Sequence, residues 1–221
     1  MTTQHILNAI TEWNTQDLVT LDEVKLQLRI PTTDTSKDAE LALFIDGVSA
    51  QMAHMINRVF GYAEVRETFY DVNDIKLLFF SRWPVKLADI ETMTVDGTDI
   101  LNDGTWVLEE KSGTLYTPSQ FGRGSWTGDL DVKYKGGYKL PDEAPDDLKR
   151  AANVAIREDY YAWLRGATLS SNVRMISHKH ARVMYYPQGQ VAATMKGGGA
   201  DYGPVWNSVM AVLNHYFRHW V

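Results

Sequence analysis

Six histidines and no cysteine set what a metal site or a nucleophile could be built from in these 221 residues. His178-Lys-His180 can place two imidazoles on one face of a strand, half of a zinc site, but no third or fourth ligand is apparent nearby. His215 and His219 stand four apart, as metal ligands on a helix do. Tyr216, Phe217 and Arg218 lie between them, so the general base of an HExxH protease is missing. Gly122-Arg-Gly-Ser-Trp-Thr-Gly128 imitates a phosphate-cradling loop, yet no helix follows whose N-terminus could hold the anion, and we read it as a hairpin turn. The carboxylate pairs Glu109-Glu110, Asp142-Glu143 and Asp146-Asp147 would have to converge in a cleft to act as acid and base, and they read better as solvated turns and helix-start charges. Ser112, Ser125 and Ser170 lack a nucleophile elbow. We therefore expect no catalytic residue, no cofactor and no metal site. A metal-dependent hydrolase using the His-rich C-terminal segment is kept as the contrasting alternative.

The elements that would carry these residues are organised around one helix, predicted from Leu140 to Gly166. Pro145 suits its first position, Asp146 and Asp147 oppose the positive end of its dipole, and Arg165 and Gly166 mark its end. Leu148, Ala152, Ala155, Ile156, Tyr160 and Trp163 fall on one side, with alanines that let a neighbour approach closely. Upstream, Thr20-Leu-Asp-Glu23 has capping-box form before Val24 and Leu28, and Pro31 closes that helix. Leu41, Ile45, Val48, Met52, Met55 and Val59 then predict a helix running to Gly61. Ile6, Leu7, Ile10 and Trp13 fit a short amphipathic helix before it.

From Glu64 the period changes to two, with Arg66, Thr68 and Tyr70 alternating against Val65, Glu67 and Phe69. Asp96-Gly97 predicts a tight hairpin, and Trp106–Leu108, Gly113–Tyr116 and Leu130–Tyr134 read as further short strands. Because such strands supply little core, Trp106 and Tyr116 are expected to be partly exposed and to be covered by a neighbouring subunit.

Composition bounds the rest. With 44% hydrophobic and 23% charged residues the chain is an ordinary globular protein, and no apolar run is long enough to span a membrane. Met1-Thr-Thr-Gln-His5 lacks the form of a signal peptide, so we expect synthesis and folding in the cytoplasm. The net charge of −6 speaks against a general nucleic-acid binder, and it is unevenly spread: residues 1–170 carry −10 and residues 171–221 carry +4. In that basic end, Val173–Tyr186 suits one or two strands, Gly197-Gly-Gly199 a loop, and Trp206, Val209, Met210, Leu213, Phe217 and Trp220 an apolar stripe on a last helix. We expect an arm whose contacts include Arg174, Lys179, Arg182, Tyr185, Tyr186, Trp206, Phe217 and Trp220. The competing expectation is that the last helix packs permanently on the central one through Trp163 and the alanine face.

Four stretches in order resemble the head-tail connector (adaptor, head-completion) proteins of tailed bacteriophages, of the gp6-like type. They are Leu21–Ile30 with its polar break, the helix ending Ile56-Asn-Arg-Val-Phe-Gly61, Trp83-Pro-Val85 before a strand and Asp-Gly turn, and Asp131-Val-Lys-Tyr-Lys-Gly-Gly-Tyr138 followed by Leu140-Pro141. The resemblance implies an α+β chain, mainly a helical bundle with an inserted small antiparallel β subdomain and an extended C-terminal arm. The expected division is 1–63 for the N-terminal helices, 64–139 for the β insertion, 140–166 for the central helix and 167–221 for the arm. It implies a non-enzymatic virion protein at the head-tail junction. Such a protein forms a homo-oligomeric, typically dodecameric ring that docks on the portal and meets a neck or tail-completion protein. Genomic DNA would pass through the lumen without sequence-specific binding, which suits an acidic body. Another neck component is the nearer alternative.

Overall fold

The computed structural model describes residues 4–12, 15–120, 122–165, 173–177, 182–185 and 204–217. In chain order the elements are β1 (Gln4–Glu12), α1 (Leu21–Leu28), α2 (Asp38–Met55), β2 (Ala63–Ile75), β3 (Leu78–Phe79), β4 (Ile90–Val95), β5 (Thr98–Asp99), β6 (Val107–Glu109), β7 (Thr114–Tyr116), β8 (Pro118–Ser119), β9 (Gly122–Arg123), β10 (Trp126–Gly136), α3 (Asp146–Arg165), β11 (Val173–Ser177), β12 (Arg182–Tyr185) and α4 (Pro204–Leu213). The Trp13 expectation, the histidines at 178, 180 and 219, Lys179, Tyr186, Gly197–Gly199 and Trp220 lie outside the described residues.

The capping box forms as its residues dictate. The Glu23 N–H donates to Thr20 Oγ1 at 3.2 Å and the Thr20 N–H to Glu23 Oε2 at 2.8 Å, which satisfies two free donors at the start of α1. Arg29 ends that helix in the left-handed conformation at φ 60°. Helix α2 stops at Met55, short of the expected Gly61. Asn57 turns left-handed at φ 49°, and Val59, although in phase with the helix, is 42% exposed. Helix α3 starts one residue after Pro145, whose carbonyl accepts from the Lys149 N–H at 2.9 Å. Leu18, Val24 and Leu28, with Leu41, Ile45, Val48 and Met52 of α2 and Leu148, Ala152, Ala155 and Ile156 of α3, form one buried helical core.

The last helix completes that core. Val209 and Leu213 of α4 are buried at 1% and 0% exposure, and α4 lies against α3, as the competing expectation held. The contact does not run through Trp163, which is 45% exposed and stands 6.1 Å from Phe44 of α2.

The chain is α+β, but it is not mainly a helical bundle. Five antiparallel strands form a sheet in the order β1-β2-β10-β4-β5, and β3, β7 and β6 form a second sheet. Together they enclose a separate core that includes Val65, Phe69, Phe80, Met93, Leu115, Leu130, Val132 and Tyr134. The turn between β4 and β5 is the predicted one, with Asp96 at φ 48° and Gly97 at φ 78°, the positive angles that a two-residue hairpin loop requires. The expected N-terminal helix is instead strand β1, antiparallel to β2 with Ile6 opposite Thr68 and Leu7 opposite Glu67. Ile6 and Ile10 share one face of the strand and Leu7 takes the other, so no strand period is written in the sequence, and pairing along the edge of β2 sets the conformation. Strands β11 and β12 pair antiparallel, Val173 opposite Tyr185.

Because Leu213 is fully buried in the helical core, Leu213→Ala should lower unfolding free energy by about 2–5 kcal/mol. Urea unfolding followed by helix signal measures this; a loss below about 0.5 kcal/mol, the usual range for a surface site, would mean that α4 is not part of the core.

Candidate interaction surface

Three of the sequence motifs meet where the two cores join. The Tyr62 N–H donates to the Tyr138 carbonyl at 2.7 Å, the Tyr138 N–H to the Phe60 carbonyl at 2.9 Å, and the Gly137 N–H to the Pro84 carbonyl at 3.0 Å. Gly137 sits at φ 102°, and a Cβ there would lie 2.6 Å from the Gly61 carbonyl oxygen, so this crossing needs glycine. Arg58 fills the same junction at 7% exposure. Its guanidinium lies 3.2 Å from the centre of the Trp83 ring, 4.9 Å from that of Phe60, 5.6 Å from Tyr216 and 5.8 Å from Tyr138, and Nη2 donates to the Trp83 carbonyl at 2.5 Å. Cation–π attraction of this kind grows as water is excluded.

Beside it, strand β2 carries Glu67 on its inward face, between Val65 and Phe69, with no exposed surface. Its carboxylate accepts from Tyr134 Oη at 2.5 Å and from the Ser81 N–H at 2.8 Å, while His5 Nε2 of β1 stands 3.2 Å from the other oxygen. The Tyr134 oxygen in turn accepts from the Arg82 N–H at 3.2 Å, and Arg82 Nη1 donates to the Gly61 carbonyl at 3.1 Å. Burial, then the Glu67 charge beside it, pushes the Tyr134 hydroxyl well above its ordinary range, so it stays a donor. A cleft of about 350 Å³ lined by His5, Leu7, Asn57, Arg58, Val59, Ser81 and Arg82 opens over this network. Glu67 is enclosed and its oxygens are occupied, so the arrangement orders the interior and offers no free base.

The outward face of the sheet is a lattice of ion pairs across strands. Lys133 bridges Glu64 at 2.8 Å and Glu91 at 2.6 Å, Lys135 meets Glu91 at 2.6 Å, and Arg66 grips Asp131 through two nitrogens. Hydrogen bonds from Lys133 and then Lys135 hold the Glu91 carboxyl down to about 2. Among the described residues no three His, Asp or Glu are grouped as a metal requires, and no helix is long and apolar enough to cross a membrane.

The residues expected to make contacts are placed as follows. Trp106 is not partly exposed: it retains 8% of its surface, and its Nε1 donates to the Ile100 carbonyl at 2.7 Å inside the β core. Residues from both sheets share its buried cluster and supply the cover that short strands alone could not. Tyr116 is half-buried with Arg123 5.0 Å from its ring centre. Trp206 is half-buried at the edge of the helical core, and Phe217 is 41% exposed. Arg174 lies on β11, and Arg182 and Tyr185 lie on β12. Arg58, Arg82 and the Glu67–Tyr134 pair were missed; a carboxylate in the apolar phase of Val65, Glu67 and Phe69 was the available signal.

No protein-family model matches the sequence, and no curated protein matches it. Two solved structures share the fold along nearly the whole chain. A chain from "Virion of native gene transfer agent (GTA) particle" superposes with a TM-score of 0.54 at 14% identity, covering 98% of this chain and 97% of that one. A chain from "Neck of empty GTA particle computed with C6 symmetry" gives 0.53 at 14% identity with the same coverage, 98% and 97%.

Two measurements follow from this geometry. Trp106→Ala should lower monomer stability by about 3–5 kcal/mol, as expected for an aromatic core deletion, and calorimetry on the isolated chain would show no loss if Trp106 were surface. The Glu91 carboxyl is depressed from 4.5 to about 2, so its contribution is complete above pH 4.5 and disappears as pH falls through about 2. Glu91→Gln should flatten the stability profile across that window, more at low salt than at high salt; identical profiles would show that the ladder contributes nothing.

Proposed function

We propose that this chain is a non-enzymatic structural component of the neck of a phage-like particle, a head-tail connector that assembles as a ring. One observation carries this: end-to-end correspondence of the fold with chains from a particle neck and virion, over 98% of this chain and 97% of each of those. The order of motifs that resembles connector proteins supports it from the sequence side. The six-fold symmetry named for one neck structure is consistent with a ring of twelve copies. The division of charge, −10 before residue 171 and +4 after it, suits an acidic body around a DNA channel with a basic segment, bearing Arg174, Lys179 and Arg182, turned to an acidic portal surface. DNA would then slide past without sequence-specific contacts, and the far side of the ring would meet a neck or tail-completion protein.

Native mass spectrometry and negative-stain imaging of the chain with portal rings present test this. Closed rings of this chain on portal are the expected result. A chain that stays monomeric at micromolar concentration with portal present, and is missing from purified particles, would overturn it.

A further inference from the structure

Strand β1 lies at one edge of the five-stranded sheet and buries little of its own side-chain surface. Every residue from His5 to Thr11 is exposed, Ile6, Leu7 and Ile10 at 37%, 41% and 50%, and neither core includes a β1 side chain. What holds the strand is its backbone ladder to β2 and one specific side chain. The His5 ring, 29% exposed, stacks on Phe69 with centroids 4.6 Å apart and places Nε2 3.2 Å from Glu67. All these contacts are made to β2, so another copy's β1 can reproduce each of them. The body proper begins further on, where Gln16 Oε1 accepts from the Gly61 N–H at 3.1 Å and Leu18 and Val19 are buried.

We propose that β1 is an exchangeable strand, which in the assembled protein pairs with β2 of a neighbouring copy. The occupant of the β2 edge is then a second copy of this chain. Side-chain complementarity selects it, because the acceptor edge holds the enclosed Glu67 carboxylate midway along its paired stretch, and a His5 side chain in the correct register supplies the matching donor to that acceptor. An unrelated strand could repeat the backbone ladder but not that contact. Exchange of an identical element creates no new chemistry and costs little, and it joins successive copies by a handed, head-to-tail contact that can close a ring. It also moves Ile6, Leu7 and Ile10 from an open edge into the space between two bodies. This rests on the homo-oligomer proposed above and assigns the link between its subunits.

Two single-cysteine variants separate the possibilities, in a chain without native cysteine. Ile6 and Thr68 are directly opposite across β1 and β2. An Ile6→Cys copy mixed with an isotope-labelled Thr68→Cys copy can form a mixed disulfide only if β1 of one lies on β2 of the other. The double variant Ile6→Cys/Thr68→Cys, kept dilute, should oxidise within one chain and so verify the geometry. The expected result is a mixed-isotope disulfide dimer as the main oxidised product in the oligomer, reduced roughly 2- to 10-fold by His5→Ala, the range for losing one hydrogen bond. Rings by native mass spectrometry without the mixed disulfide would overturn the exchange and leave the connector proposal standing. Mixed disulfides in dimers that never close into rings would support the exchange and count against the connector. A yield unchanged by His5→Ala would overturn the assigned selectivity.

Discussion

Arg58 is the point through which the two halves of the molecule are fastened. The helical core and the β core have no buried residue in common, so the position of one layer on the other depends on what lies between them. A single guanidinium at 7% exposure faces rings from both sides, Trp83 from the β layer and Tyr216 from the segment after α4. A planar ion can stack on an aromatic face and still hydrogen-bond in its own plane, as it does to the Trp83 carbonyl, and an ammonium at this place could not do both. The backbone bonds of Phe60, Tyr62, Pro84, Gly137 and Tyr138 then fix the crossing.

Much of the local structure was legible. Thr20 and Glu23 announce their helix because capping needs only neighbours in sequence, and Asp96-Gly97 announces its turn because the required φ angles exclude most other residues. The failures have a common physical origin: they depend on partners distant in sequence. Val59 keeps the helical period after Asn57 has left the helix. Ile6, Leu7 and Ile10 keep a helical spacing although they lie on a strand, because β1 buries none of them and without burial there is no face for a strand period to record. Trp106 looks uncovered until distant strands close the β core around it and the Ile100 carbonyl takes its indole N–H, and the terminal helix looks free until α3 offers it a surface.

The motifs that supported a family resemblance acquire a structural meaning in this light. Val59-Phe-Gly61, Trp83-Pro-Val85 and Gly136-Gly-Tyr138 are remote from one another in the chain, yet they form one crossing. They specify a path of the backbone. A fold set by such a crossing and by burial on either side tolerates wide change elsewhere, which agrees with whole-length superposition at 14% identity.

The two cores also differ in how they draw on the chain. Buried residues of the β core run continuously from Ala63 to Tyr134, whereas those of the helical core come from Leu18 to Phe60 and then from Leu140 to Leu213. As the polypeptide leaves the ribosome, the sheet layer has all its parts before α3 exists. Its closure brings Gly61 and Tyr138 together and so shortens the loop that the helices must later close, lowering the entropy cost of their union. The β layer, closed by the crossing at Gly61 and Tyr138, is thus placed to act as a clasp for the helical layer.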